Sequence, residues 1–322
     1  MRDWLLTLAL CACSAHEDPR AAAAAAPAAA PAGATTAPPT AAATAAGSAA
    51  GALPDHAAYP DLATALIAII PADARVVGFG ELHARTDRPT GSPTGSPTGS
   101  SAGGPAAASS LASFTQALPA IGDRISDLVI ETWIVDPGCG KPAVQATIRI
   151  EAAVKRPEDT KPQVTSLADV ARAAGIQPHA MTLTCADYAA IAPDRSADGA
   201  VDIEAMLTLT TRELSRIADS AVRHRDREPH HRPWIALYGG ALHNDRFPDP
   251  GVAEWSYAAE LDRVTGGHFV EIDVIAPAIA AADPASQRAP WFPLVGAARD
   301  PARPVLTWQR GERSFVVLLA PS

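Results

Sequence analysis

Apolar residues along the chain follow two kinds of pattern. Short continuous apolar runs are typical of strands buried on both faces of a sheet, and helically spaced apolar residues are typical of helices that cover a sheet. The runs predict strands at residues 75–80, 127–131, 179–184, 234–238 and 268–275. The helical spacing predicts helices at residues 60–70, 109–121, 142–155, 165–174, 203–225 and 252–264. Two further runs, 305–309 and 314–319, are joined through Gly311 and predict a terminal hairpin.

The alternation of strands and helices predicts the fold class. We expect an α/β domain with a mostly parallel central sheet, helices on both faces and a C-terminal β-hairpin. Ligands of such sheets bind outside the carboxyl ends of the strands. Residues that follow the predicted strands are therefore the first candidates for a functional site.

Residues 1–58 do not fit this domain. Residues 1–13 combine one Arg, a short apolar run and the sequence LCAC, which is typical of a lipoprotein signal peptide and lipobox, and Cys13 is the expected lipidation site. The alternative is a mis-assigned start codon with an accidental cysteine. Residues 14–58, rich in Ala, Pro and Thr, predict a disordered tether. We expect one α/β domain at 59–322, with a low-complexity insert at 89–104 that contains Pro-Thr-Gly-Ser repeats.

The charge and hydropathy of the chain argue against two classes of protein. The formal net charge is −9, with 26 basic and 35 acidic residues, which argues against general electrostatic binding of nucleic acid. No strongly apolar run reaches the ~18 residues of a membrane-spanning helix, which excludes an integral membrane bundle. The expected location is the cell envelope, where a lipid anchor holds the protein to the periplasmic or outer membrane.

Two cysteines, Cys139 and Cys185, lie outside the signal region. Two cysteines in an oxidising compartment suggest one disulfide between them. Both follow the carboxyl ends of predicted strands, which is compatible with a bond. The alternative is two separate buried thiols.

Potential acids and ligands stand directly after three of the predicted strands. Glu81 and His83 follow the first strand, Glu131 ends the second, and His243 follows the fourth. Two carboxylates and two imidazoles can hold a divalent metal or can poise a water as nucleophile, so these four are the predicted catalytic residues and the predicted metal ligands. The alternative is structural: Glu81 would pair with Arg85, and Glu131 would pair with an arginine of a neighbouring helix.

The same segments carry a resemblance to a known superfamily. Residues 76–83 (VVGFGELH), 128–131 (LVIE) and 237–243 (LYGGALH) resemble, in order, three motifs of the TIKI/TraB, erythromycin esterase and ChaN haem-uptake superfamily. The resemblance covers about residues 60–275 and implies Glu81, His83, Glu131 and His243 as site residues. Members diverge into metal-dependent peptidases, esterases, haem binders and signalling inhibitors, so it implies no single substrate. The insert at 89–104 and the absence of a clear esterase-type arginine motif depart from the pattern.

Other polar and aromatic residues near the predicted strands carry less weight. Asp187 follows the third strand and is a weaker site candidate. Trp133 and Tyr238 either line a pocket or only contribute packing. Structural or solvated roles are expected for four further histidines: His179, His230, His231 and His268.

The predicted function is that of an exported, lipid-anchored, hydrolase-like protein. A water would lie among the two carboxylates and two imidazoles, with or without a divalent metal, and Glu81 or His83 would act as base. The alternative is a ligand-binding lipoprotein such as a ChaN-like haem binder, in which His or Tyr would supply an axial ligand. A third reading is a degenerate member with a structural role. The substrate, small molecule or peptide, and the oligomeric state are left open.

Overall fold

A computed structural model describes residues 53–83, 109–193, 200–228, 231–298 and 305–320. The eight strands among them are β1 (Ala57–Tyr59), β2 (Val76–Glu81), β3 (Ile125–Ile134), β4 (Gln177–Thr182), β5 (Trp234–Gly240), β6 (Phe269–Ile275), β7 (Val305–Gly311) and β8 (Ser314–Leu318). The ten α-helices are α1 (Leu62–Ile69), α2 (Ser110–Ile121), α3 (Gly140–Val154), α4 (Thr160–Ala173), α5 (Cys185–Ile191), α6 (Ile203–Arg227), α7 (Ala241–Asn244), α8 (Ala258–Thr265), α9 (Pro277–Ala282) and α10 (Leu294–Ala297). Residues 1–52 and 84–108, which hold Cys13, Arg85 and the repeat insert, lie outside the described part.

The strands form one sheet in the order β1-β7-β8-β6-β2-β5-β3-β4. The pairs from β8 through β4 are parallel, whereas β7 pairs antiparallel with both β8 and β1. The expected α/β fold and the β7–β8 hairpin are confirmed. The expectation of a mostly parallel sheet is corrected to a mixed sheet, because the hairpin returns β7 antiparallel to β8 and β1 then pairs with β7.

Helices cover the sheet on both faces, because alternate residues of the central strands are apolar in both directions. In β5, Trp234, Ala236 and Tyr238 belong to the core beneath α1, α2 and α4. Ile235 and Leu237 belong to the core beneath α6 and α8. All five side chains are nearly or fully buried. A fully buried large apolar side chain contributes ~1.5–3 kcal/mol relative to an exposed one, so β5 anchors the sheet centre.

Helix α6 begins at a capped residue: the side chain of Asp202 accepts a hydrogen bond from the amide of Ala205. Its apolar face, with Leu214, Ala218 and Val222, is buried against the sheet. Within the described ranges, no helix has the length and apolar character that crossing a membrane requires.

A smaller apolar cluster lies where α3 and α5 meet, beyond the end of β3. Cys139 and Cys185 are joined there by a disulfide with a Cα–Cα distance of 5.2 Å. A cavity of about 50 Å³ lies beside this bond, lined mainly by apolar side chains that include Ala143 and Tyr188. It is apart from the polar residues at the strand ends, and its volume suits a few water molecules at most.

Candidate active site

The site lies at the carboxyl ends of β2, β3 and β5, where the sheet changes from buried backbone to loops. β2 ends at Glu81, and two residues later the chain presents His83. In β3, the register against β4 shifts between Ile130 and Trp133, so Glu131 lies in an irregular segment of the strand. Such irregularities change the direction of side chains. Here the Glu131 carboxylate lies beside Gly239 and Gly240 at the end of β5.

His83 lies between the two predicted carboxylates. Its Nδ1 is 3.0 Å from Glu81 Oε1, and its Nε2 is 3.6 Å from Glu131 Oε1. Glu131 Oε2 accepts a hydrogen bond of 2.5 Å from the backbone amide of Gly240. The structure therefore brings three of the four predicted residues together around one imidazole ring.

Two glycines at the end of β5 make room for this arrangement. A Cβ atom at Gly239 would stand 2.6 Å from Glu131 Oε2, and a Cβ atom at Gly240 would stand 2.6 Å from His83 Nε2. Both distances are shorter than a van der Waals contact. Side chains at these two positions would displace the carboxylate and the imidazole, so the Gly-Gly pair is part of the site.

Arg156 is the site residue that sequence reasoning missed. It stands in the turn between α3 and α4, directly after Lys155, which ends α3 in the left-handed region at φ 55°. Its guanidinium nitrogens lie 2.6 and 2.7 Å from the ring nitrogens of His83, 3.5 Å from Glu81 Oε1 and 3.3 Å from Glu131 Oε1. An arginine does pair with the carboxylates, as the structural reading anticipated for Glu131, but it comes from a turn. No sequence pattern marks a turn arginine for this role.

Tyr238 connects the site to the core. Its hydroxyl donates a hydrogen bond of 2.6 Å to Glu81 Oε2. Its ring is stacked on Phe114 with centroids 4.8 Å apart, and Phe114 in turn lies 4.6 Å from Phe79. Of the two roles considered for Tyr238, the structure shows packing of the ring, and the hydroxyl makes a hydrogen bond to Glu81 that neither expectation included.

The charges of the cluster shift the pKa values in a consistent way. Burial raises the pKa of Glu81, but the hydrogen bond and charge of His83 outweigh burial and bring that pKa below its ordinary value. Burial also raises the pKa of Glu131. The charge and hydrogen bond of His83 outweigh burial and bring that pKa far below its ordinary value. Burial and the Arg156 charge lower the pKa of His83, yet Glu131 and Glu81 together raise it above its ordinary value. Both carboxylates are therefore ionised near neutral pH, and they favour a proton on the imidazole while Arg156 opposes it.

His243 is placed differently from the other three predicted residues. It lies in α7, only 2% exposed, and its Nδ1 is 2.9 Å from the carbonyl oxygen of Trp255 and 2.8 Å from the hydroxyl of Thr211. It makes no hydrogen bond or ion pair with a carboxylate among the described residues. Burial lowers its pKa, although the charge of Glu131 acts in the opposite direction, so the neutral imidazole is favoured. Its catalytic or ligand role stays a prediction.

The weaker candidates lie outside the cluster. Asp187 forms a capping box with Thr184 at the start of α5. His179 Nε2 lies 2.8 Å from Asp127 Oδ1 near the opposite end of the sheet. Trp133 is partly buried against apolar residues. These contacts are structural, and His230 lies outside the described residues.

The donor set was tested against the two predicted cofactors. Among residues with a described placement, no group of three or more His, Cys, Asp or Glu side chains is arranged to hold a metal ion. The guanidinium of Arg156 lies among the oxygens and nitrogens that a divalent cation would need, and like charges repel. For haem, the His83 ring nitrogens already face Glu81, Glu131 and Arg156. The residues in this arrangement therefore fit neither group.

No protein-family model and no curated protein matches the chain. In a comparison with solved structures, the chain is similar to the type III effector HopBA1, with 12% identity and a TM-score of 0.39 over 80% of this chain and 93% of that one. A likeness of this size carries no argument about function.

Proposed function

We propose that the protein is a hydrolase that transfers protons through His83 and acts on an ester or amide bond. The observation that carries the proposal is the position of His83 between Glu81 and Glu131, with Arg156 against its ring. The side chains of His83 and Arg156 are 28% and 26% exposed, so solvent reaches the group that would exchange protons and the group that would bear the positive charge.

Each residue has a distinct task in this proposal. Glu81 accepts a hydrogen bond from the Nδ1–H of His83 and orients the ring, in the way that a carboxylate orients a catalytic imidazole. The opposite nitrogen, Nε2, takes a proton from the attacking water once the Arg156 nitrogen, 2.7 Å away in the structure, moves from the ring to the substrate oxygen. Glu131, held by the Gly240 amide, stabilises the imidazolium that forms. Arg156 stabilises negative charge on the substrate oxygen during attack.

The sizes of these effects can be stated in advance. A positioned acid–base group contributes roughly 10²- to 10⁴-fold to the rate, and one donor to a developing oxyanion contributes roughly 10²- to 10³-fold. The positive charge of Arg156 takes the place of a metal ion in this proposal. The location in the cell envelope, with lipid on Cys13, is part of the proposal and concerns residues outside the described ranges.

The test compares two histidines that each pair with a carboxylate. Hydrolysis of p-nitrophenyl acetate is measured for the wild type, His83→Gln and His179→Gln, after dialysis against chelator. We expect turnover by the wild type, a loss of roughly 10²- to 10⁴-fold in His83→Gln, and wild-type rates in His179→Gln.

Three results would contradict the proposal. No hydrolysis of esters or amides by the wild type would remove the enzymatic function. Activity that disappears with the chelator and returns with one equivalent of a divalent metal would restore the metal-dependent reading. A stoichiometric Soret band on haem titration, lost in His83→Gln, would favour the haem-binding alternative.

A further inference from the structure

A second pair of polar side chains lies at the same end of the sheet, on β6 and α7. Gly80 in β2 is the register partner of Asp273 in β6. A Cβ atom at Gly80 would stand 2.5 Å from Asp273 Oδ1 and 2.6 Å from Asn244 Oδ1. The two oxygens therefore lie at most about 5 Å apart, and both are buried without a hydrogen-bond partner.

Asn244 is fixed in this orientation. It is 0% exposed, and its side-chain amide donates a hydrogen bond of 3.1 Å to the carbonyl oxygen of Gly78. Turning the amide around would set its oxygen against that carbonyl oxygen. Asn244 Oδ1 is therefore an acceptor that faces Asp273 Oδ1, and a buried pair of acceptors needs a donor between them.

We propose that Asp273 holds a proton that it shares with Asn244, and that this carboxylic acid is a second proton-transfer group of the candidate active site. The catalytic role of Asp273 rests on the proposed function. The presence of the proton rests only on the geometry around Gly80.

The neighbouring charges favour a proton on Asp273 over one on the other acids. The titratable and charged groups around it are Glu271 on the same strand, Asp245 after α7, Arg310 on β7 and Tyr257 before α8. Glu271 accepts hydrogen bonds from the Arg246 amide at 3.0 Å and from Arg310 at 3.4 Å, and Asp245 lies 2.7 Å from Arg310.

These donors contact Glu271 and Asp245, whereas Asp273 Oδ1 has no hydrogen-bond donor among the described residues. Burial raises the pKa of Glu271 as well, but the hydrogen bond from Arg246 and the charge of Arg310 oppose that rise. Burial, followed by the like charges of Glu271 and Asp245, raises the pKa of Asp273 well above its ordinary value.

Asp273 is close enough to Glu131 to share a substrate with it. Gly80 and Gly239 are register partners in neighbouring strands, which lie about 4.8 Å apart. Asp273 Oδ1 lies 2.5 Å from the Cβ position of Gly80, and Glu131 Oε2 lies 2.6 Å from the Cβ position of Gly239. Added to the strand spacing, these distances place the two carboxyl groups at most about 10 Å apart. Within this distance Asp273 can act as the acid on a substrate whose attacking water is deprotonated by His83, the partner of Glu131.

The reaction then balances without a further reagent. Water adds its hydroxyl to the substrate carbonyl carbon and gives one proton to His83. The carbon–oxygen bond to the leaving group breaks, and the leaving oxygen takes the proton of Asp273. The proton on His83 returns to Asp273 through solvent. An alcohol leaving group needs this proton, whereas p-nitrophenolate leaves without one.

The proton is tested first, by infrared spectroscopy with ¹³C-labelled aspartate. We expect a carboxylic acid band at pH 7 in the wild type that disappears in Asp273→Asn and persists in Asp245→Asn and Glu271→Gln. A wild-type protein without the band, or a band that survives in Asp273→Asn, would overturn the proposal. The wild-type measurement holds even where a variant fails to fold.

The role is tested by comparing two esters, p-nitrophenyl butyrate and ethyl butyrate. In Asp273→Asn we expect ethyl ester hydrolysis to fall by roughly 10²-fold or more while the p-nitrophenyl ester is hydrolysed at near wild-type rate. An unchanged ratio of the two rates would overturn the role as proton donor. If the wild type hydrolyses neither ester, the proposed function fails, and the infrared band still decides where the proton lies.

Discussion

A single methyl group at Gly240 should separate the geometry of the site from the stability of the fold. Gly240 has φ −69° and ψ 139°, which any residue adopts, so Gly240→Ala introduces no backbone strain. The new Cβ atom would stand 2.6 Å from His83 Nε2 and 3.4 Å from Glu131 Oε2. The perturbation therefore acts mainly on the His83 imidazole, the proposed catalytic group.

The size of the effect follows from that distance. Carbon and nitrogen atoms in contact lie about 3.5 Å apart, so the ring of His83 must move by roughly 0.9 Å. Overpacking of a core costs about 1–3 kcal/mol, and we expect the lower end because the His83 side chain is 28% exposed and can move outward. A displacement of about 1 Å from productive geometry lowers a rate by roughly 10²-fold.

Two measurements on Gly240→Ala check this reasoning. The value of kcat/KM for p-nitrophenyl acetate should fall by roughly 10²-fold, and the His83 titration followed by NMR should move down toward the ordinary pKa of about 6.5 as contact with Glu131 weakens. Gly296→Ala is the control, because nothing lies within 4 Å of its Cβ position, in α10. It should keep the full rate and gain about 0.4–1 kcal/mol. A folded Gly240→Ala protein with the wild-type rate and an unchanged His83 titration would refute the assignment of His83.

The remaining predictions concern pH, the disulfide and His243. Because the pKa of His83 is raised on folding, its contribution to stability is complete below about pH 6.5 and is lost as the pH rises through the folded pKa. Catalysis by the neutral ring should instead fall as the pH drops through that pKa. Urea unfolding and rate measurements over the same buffers must show these opposite trends. Reduction of Cys139–Cys185, which opens a loop with a sequence separation of 46, should cost about 4 kcal/mol in the chain-entropy treatment, and equal melting temperatures with and without reductant would contradict this. His243→Ala should cost about 1–3 kcal/mol because the buried imidazole loses its hydrogen bonds with Trp255 and Thr211, although Thr211 still donates to the Trp255 carbonyl; unchanged stability with lost turnover would make His243 a catalytic group.

The fold was predictable where burial dictates residue type. Strands β2, β3, β5 and β6 are buried on both faces, so their apolar runs are continuous and stand out from the amphipathic helices. The edge of the sheet was less predictable. β1 has three residues, mostly exposed, and no apolar run. Helices α9 and α10 have six and four residues, too few for a helical period to be recognised.

The site was predictable only for residues that immediately follow a strand. Glu81, His83 and Glu131 were predicted to lie together because the ends of parallel strands meet at one edge, and the structure does bring them together. Arg156 could not be found this way, since a turn between two helices brings it there from outside the sheet. Asp273 is hidden for a different reason: it lies inside a strand, and its importance appears only when Gly80 is seen to leave room beside it.

The charges around His83 oppose the binding of a divalent cation in this arrangement. Glu81 and Glu131 contribute two negative charges, Arg156 contributes one positive charge, and His83 contributes a second positive charge whenever it is protonated. A divalent cation would have to displace both the guanidinium and the imidazole proton before the carboxylates could bind it. Arginine keeps its proton at any physiological pH, so its removal requires movement of the turn after α3. We therefore expect that the two carboxylates can bind a divalent metal only if this turn moves Arg156 away from them.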